Sequence, residues 1–214
     1  MVTHRPILIL GCALSVLTAG FGQQAPSASK KVAEQEGAQR QGSDPGHLGL
    51  ARRLAHDWTR QAAVDEAAAS GDAMTPLLLS WAENPPDGIM ARFLDVGLAD
   101  AFGRMKTEAA VPFLVRVIDL DRSIGSFAPW IKSAENIEAA YPAAAALIRI
   151  GPAGARAVIK AADGPMTREQ RRLAIFVVAR TKGVPEARLF LTQALAWANS
   201  EREWAEIGLK ALEP

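Results

Sequence analysis

Apolar residues recur every three to four positions through most of the chain after Leu48, as they do on one face of an amphipathic helix. Three stripes show this spacing: residues 111–118, 155–162 and 187–198. Turn-forming residues interrupt the pattern at four places: 84–88, 151–152, 163–165 and 183–185. Strand-like alternation of β-branched residues is nearly absent. The pattern therefore predicts an all-α domain of short helices.

The predicted helices follow one another in a repeating order. The segments Ala101–Arg104, Ala146–Arg149 and Val177–Arg180 can be superposed, and their arginines are 45 and then 31 residues apart. A second helical pattern follows each of these segments. A period in the thirties that contains two short helices is typical of an α-solenoid.

Two segments resemble a known repeat. Residues 143–152, AAAALIRIGP, are similar to the second helix of the bacterial HEAT-like repeat, also called PBS-lyase-like, and residues 108–114, EAAVPFL, are similar to its first helix. The resemblance covers about residues 73–214. It implies a right-handed α-solenoid of about four helical hairpins. The turn before the second helix departs from the family pattern at 84–86 and at 164–166, which leaves the unit boundaries open.

The segment before the repeats predicts one capping helix over residues 50–69. Leu54, Trp58 and Ala62 would lie on its apolar face, and we expect most tryptophans of the chain to be partly buried in this way.

The first 22 residues predict a cleavable export signal. Arg5 lies in a short basic start, residues 7–17 are apolar and uncharged, and the small residues Gly20 and Gly22 suggest cleavage before Gln23. A retained membrane anchor is the alternative, but the apolar stretch is shorter than the roughly 20 residues that a span needs. We therefore predict an exported protein, periplasmic or extracellular, with no stable membrane span after cleavage.

A second alternative, a lipid attached to Cys12, has little apolar sequence ahead of it. Cys12 is the only cysteine, so the mature chain would have no disulfide and no thiol ligand. Residues 23–46 are polar and predict a flexible leader, and residues 47–214 form the predicted repeat domain. Without Arg5 the basic and acidic residues balance, which gives no electrostatic reason to expect nucleic acid as a partner.

The sequence offers few residues for chemistry. His47 and His56 are too far apart for a helical metal pair. The segment 119–123, DLDRS, starts like a calcium loop, but Ile124 and Trp130 occupy its sixth and twelfth positions. The recurring Arg104, Arg149 and Arg180 are interpreted as helix C-terminal caps rather than as a basic ladder along a groove. We predict no metal site, no cofactor and no enzymatic activity.

An insertion at residues 119–133 lengthens one repeat unit. Insertions in solenoids emerge on one face, which is often the binding face. Phe127, Trp130 and Lys132 are therefore the predicted partner-binding residues, although the insertion could equally fold back onto the helices. The predicted function is that of a monomeric interaction module or scaffold that binds a protein or peptide in the cell envelope.

Two alternatives stay open. Some HEAT-like relatives act as lyases on chromophore-bearing proteins, so the resemblance also allows a lyase-like or accessory enzyme acting on a modified protein. A purely structural repeat unit without its own ligand is the other alternative.

Overall fold

The structure, a computed structural model, describes residues 45–122, 134–197 and 199–213. Within these ranges every regular element is a helix, which confirms the all-α prediction. The α-helices are α1 (Pro45–Ala55), α2 (Asp57–Ala69), α3 (Thr75–Glu83), α4 (Ala91–Met105), α5 (Val111–Arg116), α6 (Ala134–Ala140), α7 (Pro142–Ile150), α8 (Pro152–Ala161), α9 (Arg168–Arg180), α10 (Ala187–Ala194) and α11 (Asn199–Ala211). Two 3-10 turns, Gly71–Met74 and Glu108–Ala110, precede α3 and α5.

Four helix boundaries fall at the predicted breakers, and local interactions fix two of the helix ends. Gly151 separates α7 from α8 and has a positive φ of 89°, a conformation that glycine adopts without strain. Thr167 begins α9 with a capping box, in which its hydroxyl accepts from the Gln170 amide and the Gln170 side chain accepts from the Thr167 amide.

Four helices, α4, α7, α9 and α11, pack side by side in chain order, and we call them the main row. The remaining helices after α2 pack on this row. Thus α3 contacts α4, α5 contacts α7, α8 contacts α7 and α9, and α10 contacts α9 and α11. Each helix after α2 therefore packs mainly on helices that are close to it in the chain.

The helices of the main row run in the same direction. The first turns of α9 and α11 meet where Arg171 lies 3.3 Å from Glu201, and their last turns meet where Gly208 faces the Ala179 side chain. The first turns of α7 and α9 meet where the Tyr141 hydroxyl donates to Glu169. The last turns of α4 and α7 meet where a Cβ added to Gly103 would lie 3.5 Å from the Arg149 Nη1. The C-terminal ends of the row therefore lie along one edge.

Small residues allow the main row to pack closely. Residues Pro142 to Leu147 of α7 are all buried, and four of them are consecutive alanines. A Cβ added to Gly103 of α4 would lie 2.8 Å from the Ala146 Cβ, and one added to Gly154 of α8 would lie 3.1 Å from the Leu147 Cα. Since real carbon contacts are near 3.5–4.0 Å, these glycines set the distance between the helices.

The N-terminal capping helix predicted over 50–69 is wrong in one respect, because the chain forms two helices there. His56 has extended backbone angles and separates α1 from α2. Leu54 is fully buried, whereas the Trp58 side chain is 91% exposed, so the two do not share a face. Arg60 is buried instead, and its Nε donates to the Leu54 carbonyl at 3.0 Å. The sequence around His56 contains no glycine or proline that would predict this break.

Over residues 45–122, 134–197 and 199–213, no helix has both the length and the apolar character that a membrane crossing requires.

We predict that Gly97→Ala destabilises the protein by about 1–3 kcal/mol, because the new methyl group would overlap the Leu54 carbonyl group, whose carbon would be 2.8 Å away. Chemical denaturation followed by circular dichroism measures this change. Gly49→Ala in α1 is the matched control. An added Cβ there meets nothing within 4 Å, so we expect a gain of about 0.5–1 kcal/mol from the higher helix propensity of alanine. Equal effects in both variants would contradict the close helix contact.

Candidate functional site

The predicted binding insertion, residues 119–133, is described only at its first end. Residues 119–122 belong to the described chain, and residues 123–133 do not. Phe127, Trp130 and Lys132 therefore lie outside the described residues, and their role in binding stays a prediction. What the structure shows is how the chain is held on both sides of the insertion.

Arg122 joins the two sides of the insertion. Its guanidinium binds Asp100 of α4 through two contacts, Nη1 to Oδ2 at 2.7 Å and Nη2 to Oδ1 at 2.5 Å. Its Nε donates to the Ala139 carbonyl at 2.7 Å, and its backbone amide donates to the Ala140 carbonyl at 2.9 Å. The Asp100 side chain is only 14% exposed, so the pair is partly shielded from solvent. Bidentate geometry of this kind fixes orientation as well as distance.

Helix α6 follows the insertion and is attached at two further points. Ile137 is buried in the hydrophobic core, and Glu138 accepts a hydrogen bond of 3.1 Å from Arg180 at the end of α9. The return side of the insertion is thus held by apolar packing and by an ion pair. The chain that leaves the insertion is therefore integrated into the fold.

Asp119 connects the entry side to α9. Its carboxylate accepts a hydrogen bond of 3.3 Å from the Gln170 side chain, which also takes part in the capping box with Thr167. In sequence, Asp119 and Asp121 resemble the first two ligands of a calcium loop. Asp119 instead accepts a structural hydrogen bond, and Asp121 lies close enough to Tyr141 for its negative charge to raise the pKa of Tyr141.

A chain of polar and aromatic contacts connects α7, α9 and α11. The Tyr141 hydroxyl donates to Glu169 at 2.8 Å, and Glu169 accepts from Arg172 at 3.1 Å. The Arg172 guanidinium lies over the Trp204 ring, 4.8 Å from its centroid, and Trp204 makes an edge contact with Phe176. The network links three neighbouring helices of the main row.

The environment of Tyr141 opposes ionisation. Burial raises the pKa of Tyr141 well above its usual value of 10, and the hydrogen bond to Glu169 raises it further because it is made by the neutral hydroxyl. The negative charges of Glu169 and Asp121 act in the same direction, and Arg172 opposes them. Tyr141 is therefore a hydrogen-bond donor here and not a candidate base.

One further carboxyl group has a shifted pKa. Burial raises the pKa of Asp95 in α4, and the positive charge of Arg116 partly offsets this effect. Arg116 also donates to the Ala82 carbonyl at 2.9 Å and lies over the Phe113 ring, so it bridges α5 and α3. A partly buried carboxyl group beside an arginine occurs in structural contacts between helices as well as in reactive sites. The raised pKa of Asp95 therefore does not identify a reactive site.

The other residues singled out in the sequence are dispersed. His47 in α1 is partly buried, and His56 is exposed at the start of α2. Arg104, Arg149 and Arg180 all lie in the last turn of a helix, as the capping interpretation expects. Over the described part of the chain, no three His, Cys, Asp or Glu side chains are grouped so as to hold a metal ion.

The tryptophans differ in exposure. Trp81 is buried, and Trp197 and Trp204 are partly buried against the core, as predicted for helix anchors. Trp58 is the exception, since the break at His56 turns it towards solvent. No feature of its local sequence distinguishes it from a core residue, because Leu54 and Ala62 share its helical phase.

Comparison of the chain with protein-family models, with curated proteins and with solved structures finds no match. The resemblance to HEAT-like repeats therefore rests on the residues quoted above, and membership of that family stays a prediction.

We predict that Arg122→Ala lowers the free energy of unfolding by about 2–3 kcal/mol, because it leaves the shielded Asp100 carboxylate without its partner. Adding Asp100→Asn should recover part of this loss, since the unpaired charge is then removed. The control is Arg104→Ala. Its 3.8 Å pair with Asp65 is more than half exposed on both sides, so we expect a loss below about 0.5 kcal/mol. Equal losses at positions 122 and 104 would refute the anchoring role.

We predict that Tyr141, the only tyrosine in the chain, does not ionise in the folded protein until the pH is far above 10. Because the pKa is raised in the folded state, Tyr141 stabilises the fold fully below pH 10, and this contribution is lost as the pH rises through the folded pKa. A spectrophotometric titration of tyrosinate absorbance, with and without denaturant, measures the difference. Glu169→Gln should move the folded curve towards lower pH. Superposed curves for folded and unfolded protein would contradict the described environment.

Proposed function

We propose that this protein is an exported interaction module, a scaffold that binds a protein or peptide in the cell envelope. The observation that carries the proposal is the packing order, in which α4, α7, α9 and α11 form a row and each remaining helix after α2 packs on neighbours in the chain. Proteins built in this way present a long surface made from many equivalent positions.

The proposed architecture is a right-handed α-solenoid of about four helical hairpins. The pairs would be α3 with α4, α5 with α7, α8 with α9, and α10 with α11. The parallel direction of the main row supports this assignment, because a solenoid places the second helix of every unit side by side. The superposed arginines support it too, since each ends a helix of the row.

The proposed partner site is the insertion with Phe127, Trp130 and Lys132. Arg122 and helix α6 hold its two ends against α4 and α9, so the entry and exit of the loop are preorganised. Preorganisation reduces the entropy lost on binding. Tryptophan is among the side chains that most often supply binding energy at interfaces.

The proposed location outside the cytoplasm follows from the signal-like first 22 residues. Loss of Cys12 on cleavage would leave a chain without thiols. Such a chain depends on helix packing alone for stability, and the closely packed main row supplies it.

A pull-down from the periplasmic fraction of the native host tests this function. The bait is the chain from Gln23, and one variant has residues 123–133 replaced by a four-residue Gly-Ser linker. The linker must span the distance from Arg122 to Ala134. The Arg122 amide is hydrogen-bonded to the Ala140 carbonyl, and Ala134 lies roughly 9 Å from Ala140 along α6, whereas four residues can span about 13 Å. A second variant carries Phe127→Ala, Trp130→Ala and Lys132→Ala. We expect both variants to bind the captured partner at least about tenfold more weakly.

The matched control is Trp58→Ala, which removes an exposed aromatic ring on another helix. It should retain the partner. Capture that is unaffected by both loop variants would reject the insertion as the binding site. Turnover of a chromophore-bearing protein or glycan, without stable capture, would favour the lyase-like alternative.

A further inference from the structure

A row of cations follows the C-terminal ends of the main row. Each of its four helices ends with a basic residue in the last turn: Arg104, Arg149, Arg180 and Lys210. Lys106 and Lys182 follow two residues after Arg104 and Arg180. Because the main row is parallel, these ends lie along one edge, and we call these six residues the basic edge.

Several cations of the basic edge have no anionic partner among the described residues. Arg104 pairs with Asp65 at 3.8 Å, and Arg180 pairs with Glu138 at 3.1 Å. For Lys106, Arg149, Lys182 and Lys210, which are all exposed, the described residues provide no carboxylate within ion-pair distance. Capping of helix carbonyls accounts for the basic residues of the last turns, and Lys106 and Lys182 add two further cations just beyond α4 and α9.

Lys106 holds an unfavourable backbone conformation. Its φ is 53°, in the left-handed region, and its amide donates to the Phe102 carbonyl to close α4. Glycine is the usual residue at this position of a helix end, because a side chain there costs free energy. Non-glycine residues in this conformation occur more often at functional sites than elsewhere, which makes Lys106 a candidate functional residue.

We propose that the basic edge binds an extended acidic peptide segment of the partner. Packed helices are spaced about 8–10 Å apart. An extended polyproline-type peptide advances about 3.1 Å per residue with three residues per turn, so every third side chain recurs on one side after about 9 Å. Acidic residues at every third position would therefore face one helix end after another. This inference rests on the proposed function, because it states which chemical feature, an acidic peptide segment, the proposed partner would present.

The charge pattern favours a peptide over nucleic acid. Asp65 and Glu138 lie beside Arg104 and Arg180, so carboxylates interrupt the row of cations at two places. A phosphate backbone carries a charge at every nucleotide and would meet these carboxylates. A peptide with spaced acidic residues avoids them.

Fluorescence anisotropy with a labelled peptide of four Glu-Pro-Ala units tests the proposal on the chain from Gln23. We expect binding that weakens as salt is added. The double variant Lys106→Glu with Arg149→Glu should bind about tenfold more weakly. The matched control is Arg92→Glu with Lys160→Glu, which makes the same charge change at exposed positions where α4 begins and α8 ends. It should alter affinity by no more than about twofold.

Lys106→Gly separates binding from structure. It relieves the left-handed backbone, so we expect a higher melting temperature together with weaker peptide binding. A purely structural role for Lys106 would leave the peptide affinity unchanged, which would count against the proposal.

Three results would overturn the basic edge as a peptide site. One is absence of binding at low salt, the second is equal weakening in the two double variants, and the third is tighter binding of an oligothymidylate with the same charge. The outcome is distinct from that of the pull-down, since that assay varies the insertion and leaves the basic edge intact.

Discussion

The close approach of neighbouring helices at alanine and glycine determines how the rest of this protein is arranged. Helix α7 has four consecutive buried alanines, and Gly103 and Gly154 bring the backbones of α4 and α8 against it. Gly97 and Gly208 do the same for the contacts of α4 with α1 and of α11 with α9. Because these residues lack bulk, neighbouring helices approach closely, and the helices come into register along the C-terminal edge of the main row.

That register places polar residues from separate parts of the chain next to one another. At the edge where the helices begin, Tyr141, Glu169 and Arg172 form a network, and Arg122 holds the base of the insertion. At the other edge, the helix ends align the cations proposed as a peptide site. Both the proposed insertion site and the proposed basic edge therefore depend on the same packing constraint.

Much of this architecture is predictable from the sequence, because its signals are local. The spacing of apolar residues predicts the helices, and breakers such as Gly151 mark their ends. The break at His56 could not be predicted, since it results from tertiary contacts: Arg60 turns inward to the Leu54 carbonyl, and Trp58 turns outward. The hydrogen-bond partners of Arg122 and Tyr141 could not be predicted from the sequence either. Each contact joins residues 17 to 28 positions apart, and no sequence motif links them.

Native-state hydrogen exchange, resolved by residue, tests the central role of α7 most directly. Helix α7 is in contact with α4, α5, α6, α8 and α9, so its amides should exchange only through global unfolding. We expect the slowest exchange in α7 and progressively faster exchange towards α1 and α11. Amides of α7 that exchange as fast as those of α11, while α4 and α9 remain protected, would contradict the account.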